Sequence, residues 1–488
     1  MSIDVVSKIW GFCHTLRHDG VNYGDYIEQI TYLLFLKMAD ERDIELPSYK
    51  TLDEHANKAI AVSCDWPTLD KYSGSELVDH YDKVLGELGK QPGILGDIFS
   101  GSQAKIRKPT SLKRLIGLID ETDWTSLDVD VKAAVFEGLL EKAASEGKKG
   151  AGQYFTPRLL IQAMVRCIRP DPRASRDFAI DDPAVGTGGF LVSAYEWLLD
   201  ESGAAFERGV AKRIRSTTYF GQEIDARPRR LALMNLYLHQ VEPHISNTDS
   251  IYEAPPSQRY DVVLTNPPFG TRGANQSPDR DDFVVATSNK QLNFLQHVLT
   301  ILKPGGRAAV VVPDNVLFAS QAGEVFKVLT EDCDLHTVLR LPRGTFSPYS
   351  EGTQTNVVFF TKGQPTDRTW IYDGRANVPK ITKKSRPLTA AHLAEFEHCY
   401  GQDPNGRSKR NESDSKDGRW RSFTIDDIKA HHYKLDAFKW IRDEELDDPN
   451  DLPEPEELIT EAMKALQLAL DDLIEIQHSL DEGIGGTS

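Results

Sequence analysis

The sequence predicts an α/β protein: a mostly parallel sheet with helices on both faces, a helical domain before it and a single C-terminal helix after it. Three observations predict this. Between about 150 and 375, short β-branched runs alternate with helical patterns. Before that stretch, apolar residues recur at helical spacing. After it, one long segment carries a heptad seam between two prolines and a cluster of glycines.

Residues 1–145 are expected to form the helical domain. Tyr26 to Met38 is apolar on most sides, as in a buried helix. From Ala133 to Ala144, Val135, Leu139, Leu140 and Ala143 fall at helical spacing, and no strand-like alternation is evident between these two segments. Residues 146–375 form the catalytic block. Its strands are expected at Phe178–Ile180, Thr218–Phe220, Asp261–Leu264, Ala308–Val312, Thr337–Leu339 and Asn356–Phe360. Residues 376–450 are a C-terminal extension. Within it, 401–419 hold no aliphatic or aromatic side chain, which predicts a solvated loop or disordered insert. Pro453 and Pro455 then introduce a helix over 454–482, ended by Gly483, Gly485 and Gly486. Ile459, Met463, Leu466, Leu470, Leu473, Gln477 and Leu480 alternate spacings of four and three. Such a helix either packs on its own domain or pairs with a partner.

Composition narrows the function classes. With 40% hydrophobic and 27% charged residues among 488, the chain reads as an ordinary soluble protein. No apolar run approaches the roughly 20 residues needed to span a bilayer. The opening MSIDVVSKIW lacks the apolar stretch of a signal peptide, so a cytoplasmic location is expected. Cys13, Cys64, Cys167, Cys333 and Cys399 are scattered without a C-x-x-C pair, predicting reduced thiols and neither a disulfide frame nor a metal site. A net charge of −17 argues against holding DNA alone by phosphate neutralisation. A second chain would then supply much of that grip.

The strongest motif is Asn266-Pro267-Pro268-Phe269, directly after the strand Tyr260–Thr265. Ligands of open α/β sheets bind beyond the carboxyl ends of strands. The amino group of adenine is a poor nucleophile because its lone pair is delocalised into the ring. Two acceptors aimed at its hydrogens would draw the nitrogen toward tetrahedral geometry. The Asn266 side-chain carbonyl and the Pro267 backbone carbonyl can provide them. Paired prolines fix φ and pre-place the acceptors, and Phe269 offers a flat face to a base flipped out of its duplex. The ordinary alternative is a proline-rich turn.

Three further motifs suggest a nucleoside cofactor. Asp182-Pro183-Ala184-Val185-Gly186-Thr187-Gly188-Gly189-Phe190-Leu191 is a glycine-rich strand-to-helix turn, where a ligand can approach the backbone. Gly186 and Gly188 match a dinucleotide fingerprint, but Leu191 stands where its last glycine should be, so a nucleoside without a pyrophosphate fits better. Glu223, in Gly221-Gln222-Glu223-Ile224, can accept from both ribose hydroxyls. Asp249 could hold the adenine amine of the cofactor. In Gly152-Gln153-Tyr154-Phe155-Thr156-Pro157-Arg158, Thr156 reads as a helix N-cap and Pro157 as the first helical residue. Tyr154, Phe155 and Thr156 could line the methionine end, where aromatic faces attract a sulfonium.

With these motifs, the chain resembles the modification subunit of type I restriction-modification systems. The resemblance runs from Tyr26–Met38 through the motifs above. It continues through Lys303-Pro304-Gly305-Gly306-Arg307 and Leu341-Pro342-Arg343-Gly344-Thr345-Phe346 to Phe423–Ile425 and Lys439-Trp440. The order of cofactor motif before catalytic motif is that of the γ-class amino-methyltransferases. The resemblance implies a Rossmann-like class I methyltransferase core that methylates N6 of adenine in double-stranded DNA. It implies S-adenosyl-L-methionine bound by Gln153, Tyr154, Phe155, Thr156, Pro157, Arg158, Thr187, Gly188, Gly189 and Glu223, beside Asp182, Gly186 and Asp249 from the residue reading. It places the target adenine on Asn266–Phe269. It also implies a separate specificity (S) subunit taking two copies of this chain, and a restriction/translocase (R) subunit. The polar stretch 401–419 departs from the family pattern.

Rival readings remain at this point. A cytosine C5 methyltransferase needs a cysteine after proline, and none of the five follows one. An amine methyltransferase acting on ribosomal RNA or protein glutamine could use the same Asn-Pro-Pro-aromatic motif. A scaffold that kept the fold without catalysis is a third possibility.

Overall fold

A computed structural model describes residues 20–53, 58–122, 156–202, 207–269, 277–347, 353–382, 385–411 and 418–441, with a few isolated positions besides. The expected helix at 133–144 and most of 454–482 lie outside the described residues. The chain divides into two compact units. One comprises 1–155, 186–188 and 225–243; the other comprises 156–185, 189–224 and 244–488.

The first unit is built on α1 (Tyr23–Glu41), with its N-terminus capped by the Asn22 side chain on Asp25 N. Leu33, Leu34, Phe35 and Leu36 are all fully buried, so the helix is enclosed on several sides, as its unbroken apolar character requires. Phe35 packs edge-on to Phe99 at 5.2 Å and stacks on Tyr237 at 5.4 Å. A correction concerns strands here. β1 (Ser48–Asp53) and β2 (Lys58–Ser63) form an antiparallel hairpin that the sequence pattern hid. Leu52 and Ile60 stay exposed, so no alternation of apolar and polar residues marks the pair. Helices α2 (Trp66–Lys71), α3 (Gly74–Leu88), α4 (Ile94–Phe99) and α5 (Pro109–Asp120) follow.

The second unit holds a nine-stranded mixed sheet. In chain order its elements are α6 (Arg158–Ile168), β3 (Ile180–Asp182), α7 (Gly189–Ser202), α8 (Arg208–Thr217) and β4 (Tyr219–Gln222). Helix α9 (Ala226–Leu238) belongs to the first unit; β5 (His244–Ser246), β6 (Tyr260–Thr265), α10 (Lys290–Ile301) and β7 (Leu302–Pro313) resume the second. Then come α11 (Ala322–Asp332), β8 (Cys333–Arg340), β9 (Thr355–Lys362), β10 (Arg368–Asp373), α12 (Ala391–Tyr400), β11 (Trp420–Thr424) and α13 (Ile425–Ala430). The strand order is β11-β10-β8-β9-β7-β6-β3-β4-β5. β9 runs antiparallel to both neighbours and β11 antiparallel to β10, while the other five pairings are parallel.

Helices cover both faces. Phe360 joins the cluster of Leu295, Val298, Val325 and Phe326 from α10 and α11. Its neighbour Phe359 points the other way, onto Phe396 and Tyr400 of α12 at 5.8 and 5.2 Å. Adjacent strand residues reach opposite layers, which is why these strands read as unbroken apolar runs.

The expected solvated insert is also corrected, for 401–411. Tyr400 donates to Pro404 O at 3.1 Å. The Arg410 guanidinium lies 4.8 Å from the Tyr400 ring centroid and 5.3 Å from that of Trp420, and donates to Thr337 Oγ1 at 2.9 Å. The segment packs through a guanidinium rather than through apolar side chains, so composition could not reveal it. Residues 412–417 lie outside the described residues.

Candidate functional site

β6, β3, β4 and β5 are adjacent and parallel, so their carboxyl ends share one edge of the sheet. From β3 the chain proceeds through β4 to β5 on one side, then returns to the other side of β3 as β6. This reversal of direction makes β3/β6 a topological switch point, where open sheets bind ligands. Asp182 ends β3, Gln222-Glu223 end β4, Asn247 follows β5 and Asn266 follows β6.

Hydrogen bonds tie these ends together. Val185 N donates to Gln222 O at 3.1 Å, joining the turn after β3 to the end of β4. Ser250 Oγ donates to Pro183 O at 2.6 Å, bringing the Asn247–Ser250 loop to that turn. Glu223 N donates to Ser246 O at 3.1 Å, and the Asn247 side-chain amide donates to the carbonyls of Glu223 and Ile224 at 3.1 and 3.0 Å. Asp249 caps its own turn, Oδ1 accepting from Ile251 N and Tyr252 N at 2.8 and 3.1 Å.

The acids here are sealed from water. Burial raises the Asp182 carboxyl to about 7, and the like charge of Glu223 adds to this against the Ala184 N–H and the neighbouring Thr265 hydroxyl. Asp181 is also fully buried and held well above the carboxylate range by desolvation, although Gln222 Nε2 donates to it at 3.1 Å. Glu223 is 7% exposed. The glycines supply backbone room. Gly186 and Gly188 have φ of +55° and +82°, which L side chains rarely adopt. A Cβ on Gly221 would overlap the Val185 side chain and sit 2.8 Å from Asp182 O. Gly189 opens α7, and Thr187 O accepts from Asn235 Nδ2 at 3.3 Å within the first unit. Among the described residues no cluster of His, Cys, Asp and Glu could hold a metal.

The Asn266–Phe269 loop is anchored at several points. Asn266 Nδ2 donates to Thr156 Oγ1 at 2.9 Å. The other end of that amide, Oδ1, is buried without a hydrogen-bond partner among the described residues. Gln291 Nε2 of α10 donates to Pro268 O at 3.1 Å. Phe269 meets Phe346 edge-to-face at 5.5 Å. Phe346 and Gln291 were not singled out by sequence reasoning. Phe346 closes the Leu341–Phe346 motif without a role of its own, while Gln291 carries no sequence signal.

The helix start at Thr156 needs correcting. α6 begins at Arg158 with Pro157 as N-cap, and no side chain caps it. The Thr156 hydroxyl is directed to Asn266 instead. Arg158, expected at the cofactor, forms an ion pair with Glu196 at 2.8 Å. Gln153, Tyr154 and Phe155 lie outside the described residues.

Comparison with known proteins adds the following. The N-6 DNA Methylase family matches residues 127–448, and the HsdM N-terminal domain family matches 5–121. The StySPI type I restriction enzyme methylase subunit of Salmonella potsdam is 36% identical over 531 residues, covering 98% of this chain and 96% of its own. The EcoKI methylase subunit of Escherichia coli (strain K12) is 35% identical over 523 residues, covering 98% and 95%. The crystal structure of the EcoKI M protein is similar with a TM-score of 0.54 at 32% identity, covering 99% and 97%. A chain solved in a study of type I R-M complex assembly and conformational transition gives a TM-score of 0.70 at 26% identity, covering 99% of each chain.

Proposed function

Since this chain belongs to the N-6 DNA methylase family and is the modification subunit of a type I restriction-modification system, an adenine-specific DNA methyltransferase, we propose that Asn266, Pro267, Pro268 and Phe269 carry its reaction. The single observation supporting this most directly is the Asn266 amide: its nitrogen is anchored and its buried oxygen lacks a donor. A buried acceptor left unpaired costs about 1–3 kcal/mol, and an N6–H of a flipped adenine would satisfy it. Accepting that hydrogen bond draws the nitrogen toward tetrahedral geometry and localises its lone pair. Gln291 steadies the loop through Pro268 O, and Phe346 buttresses Phe269, the face on which the base would rest. The reading as an amine methyltransferase of ribosomal RNA or protein glutamine is not favoured, since the relatives are type I methylase subunits.

Methyltransferases of this family depend on S-adenosyl-L-methionine, which when bound supplies an electrophilic methyl group on a positively charged sulfur. The residues present fit it. Glu223 would accept from the ribose hydroxyls and Asp182 would face the polar end of the ligand. Gly186, Thr187, Gly188 and Gly189 would leave the backbone uncovered beside it, and Asp249 would meet the adenine amine through the oxygen not used in its turn. Gln153 to Arg158 remain assigned to the methionine end. Calorimetry and turnover in the assembled complex test both halves. Asn266→Ala is expected to lower turnover roughly 100-fold or more with little change in cofactor affinity. Glu223→Ala is expected to weaken cofactor binding by roughly 1.5–3 kcal/mol. Near-normal methylation by Asn266→Ala would remove this asparagine from the mechanism.

The protein works within a type I restriction-modification complex. We further propose that two copies join one specificity subunit, together with the restriction subunit, on double-stranded DNA. Met463, Leu466 and Leu470 are helical and 66%, 70% and 50% exposed, which supports the heptad face as the docking element. No described helix is long and apolar enough to cross a membrane.

A further inference from the structure

We propose that Thr156 is a positioning residue that sets which end of the Asn266 amide faces the target base; this rests on the function proposed above. Asparagine's oxygen and nitrogen are nearly equal in size, so packing alone does not choose between its two orientations. The hydrogen-bond partner chooses. In one orientation the amide presents an acceptor to the amino group of adenine. In the other it presents two N–H donors to a group that is itself a donor, and no productive contact forms.

Thr156 and Asn266 are 110 residues apart in sequence and 2.9 Å apart in space, Nδ2 to Oγ1. The hydroxyl oxygen accepts from the amide nitrogen, which turns Oδ1 away into a buried position with no donor among the described residues. The hydroxyl is not needed locally, because Pro157 stands at the N-cap of α6 without a side-chain bond. The backbone is held separately, through Gln291 on Pro268 O. Loop and amide are therefore fixed by two different elements, α10 for the chain path and the lead-in to α6 for the amide plane. Thr156 thus acts through Asn266 rather than as a principal cofactor contact.

The experiment uses the full complex with its specificity subunit and DNA. Thr156→Val keeps the shape and removes the acceptor. It is expected to lower kcat about 10- to 100-fold, as loss of one pre-aimed acceptor does, while the S-adenosylmethionine Kd stays within about 2-fold of wild type by calorimetry. Thr156→Ser keeps the hydroxyl and is expected to restore kcat to near the wild-type value. In an Asn266→Ala background, Thr156→Val should have no further effect, because there is no amide left to orient. Unchanged kcat in Thr156→Val would overturn the proposal. So would a raised cofactor Kd with kcat intact, failure of Thr156→Ser to restore turnover, or full additivity in the double variant. Loss of cofactor binding along with turnover would return Thr156 to the cofactor's own contacts and count against it equally. If Asn266→Ala is itself active, the catalytic reading fails first, and the two failures are told apart.

Discussion

Asp182 closes β3 with its carboxyl sealed from water, and burial lifts it to about 7. The folded value stands above that of an unfolded aspartate, about 3.9. The stability that goes with the neutral form is therefore fully present below about pH 4 and is lost as pH rises toward 7. A tenfold difference in proton affinity between the folded and unfolded chain is worth about 1.4 kcal/mol. Asp182→Asn cannot ionise, so the urea midpoint of the wild type should fall relative to this variant between about pH 4 and 7, then run parallel to it. Parallel curves across the whole window would show that Asp182 is charged throughout. At this scale the sequence is legible where chemistry demands a residue type, as at Asn266 and Glu223. It misleads where one residue type serves two purposes. A threonine before a proline is what a helix start looks like, and only the contact with a residue 110 positions away separates capping from orienting an amide.

Strands buried on both faces are continuous apolar runs, so β6, β7, β8 and β9 could be located from their Val, Leu and Phe content. β5 has three residues with only Ile245 buried, and β11 is an edge strand with only Trp420 buried, so neither shows the run or the alternation that would reveal it. Direction is a separate matter. Nothing local marks β9 as antiparallel to β7 and β8; the sheet pairing decides it. Where the motifs follow strands, their convergence follows from parallel pairing alone, and the candidate site was legible for that reason. One glycine carries an element-scale requirement. A side chain at Gly221 would collide with Val185 and press on Asp182 O, across the β3/β4 pair. Gly221→Ala is expected to lower stability by about 1–3 kcal/mol, as overpacking does, and to weaken S-adenosylmethionine binding by shifting Glu223. Denaturation and calorimetry on the same preparation check this, and a variant with wild-type values in both would mean the strands can part without consequence.

Over the whole chain, a net charge of −17 and the exposed Met463, Leu466 and Leu470 point the same way, toward partners for DNA grip and for an apolar face. Leu466→Asp with Leu470→Asp should abolish co-purification with the specificity subunit and site-specific methylation, yet leave cofactor binding intact. A double variant that still assembles would place docking elsewhere, and an isolated wild-type chain that methylates one defined sequence would remove the need for a partner altogether. The strand order also carries a consequence for synthesis. β3, β4 and β5 can add to one another as they emerge, β6 then docks on the free side of β3, and β7 on β6. Every strand of this sheet up to residue 313 thus meets a waiting edge. β8 is the first that does not, because both its neighbours, β9 and β10, are made after it. A ribosome that has passed residue 340 but not 362 therefore carries an apolar strand with nothing to pair with, and this window is where the nascent chain is most open to aggregation and to chaperones.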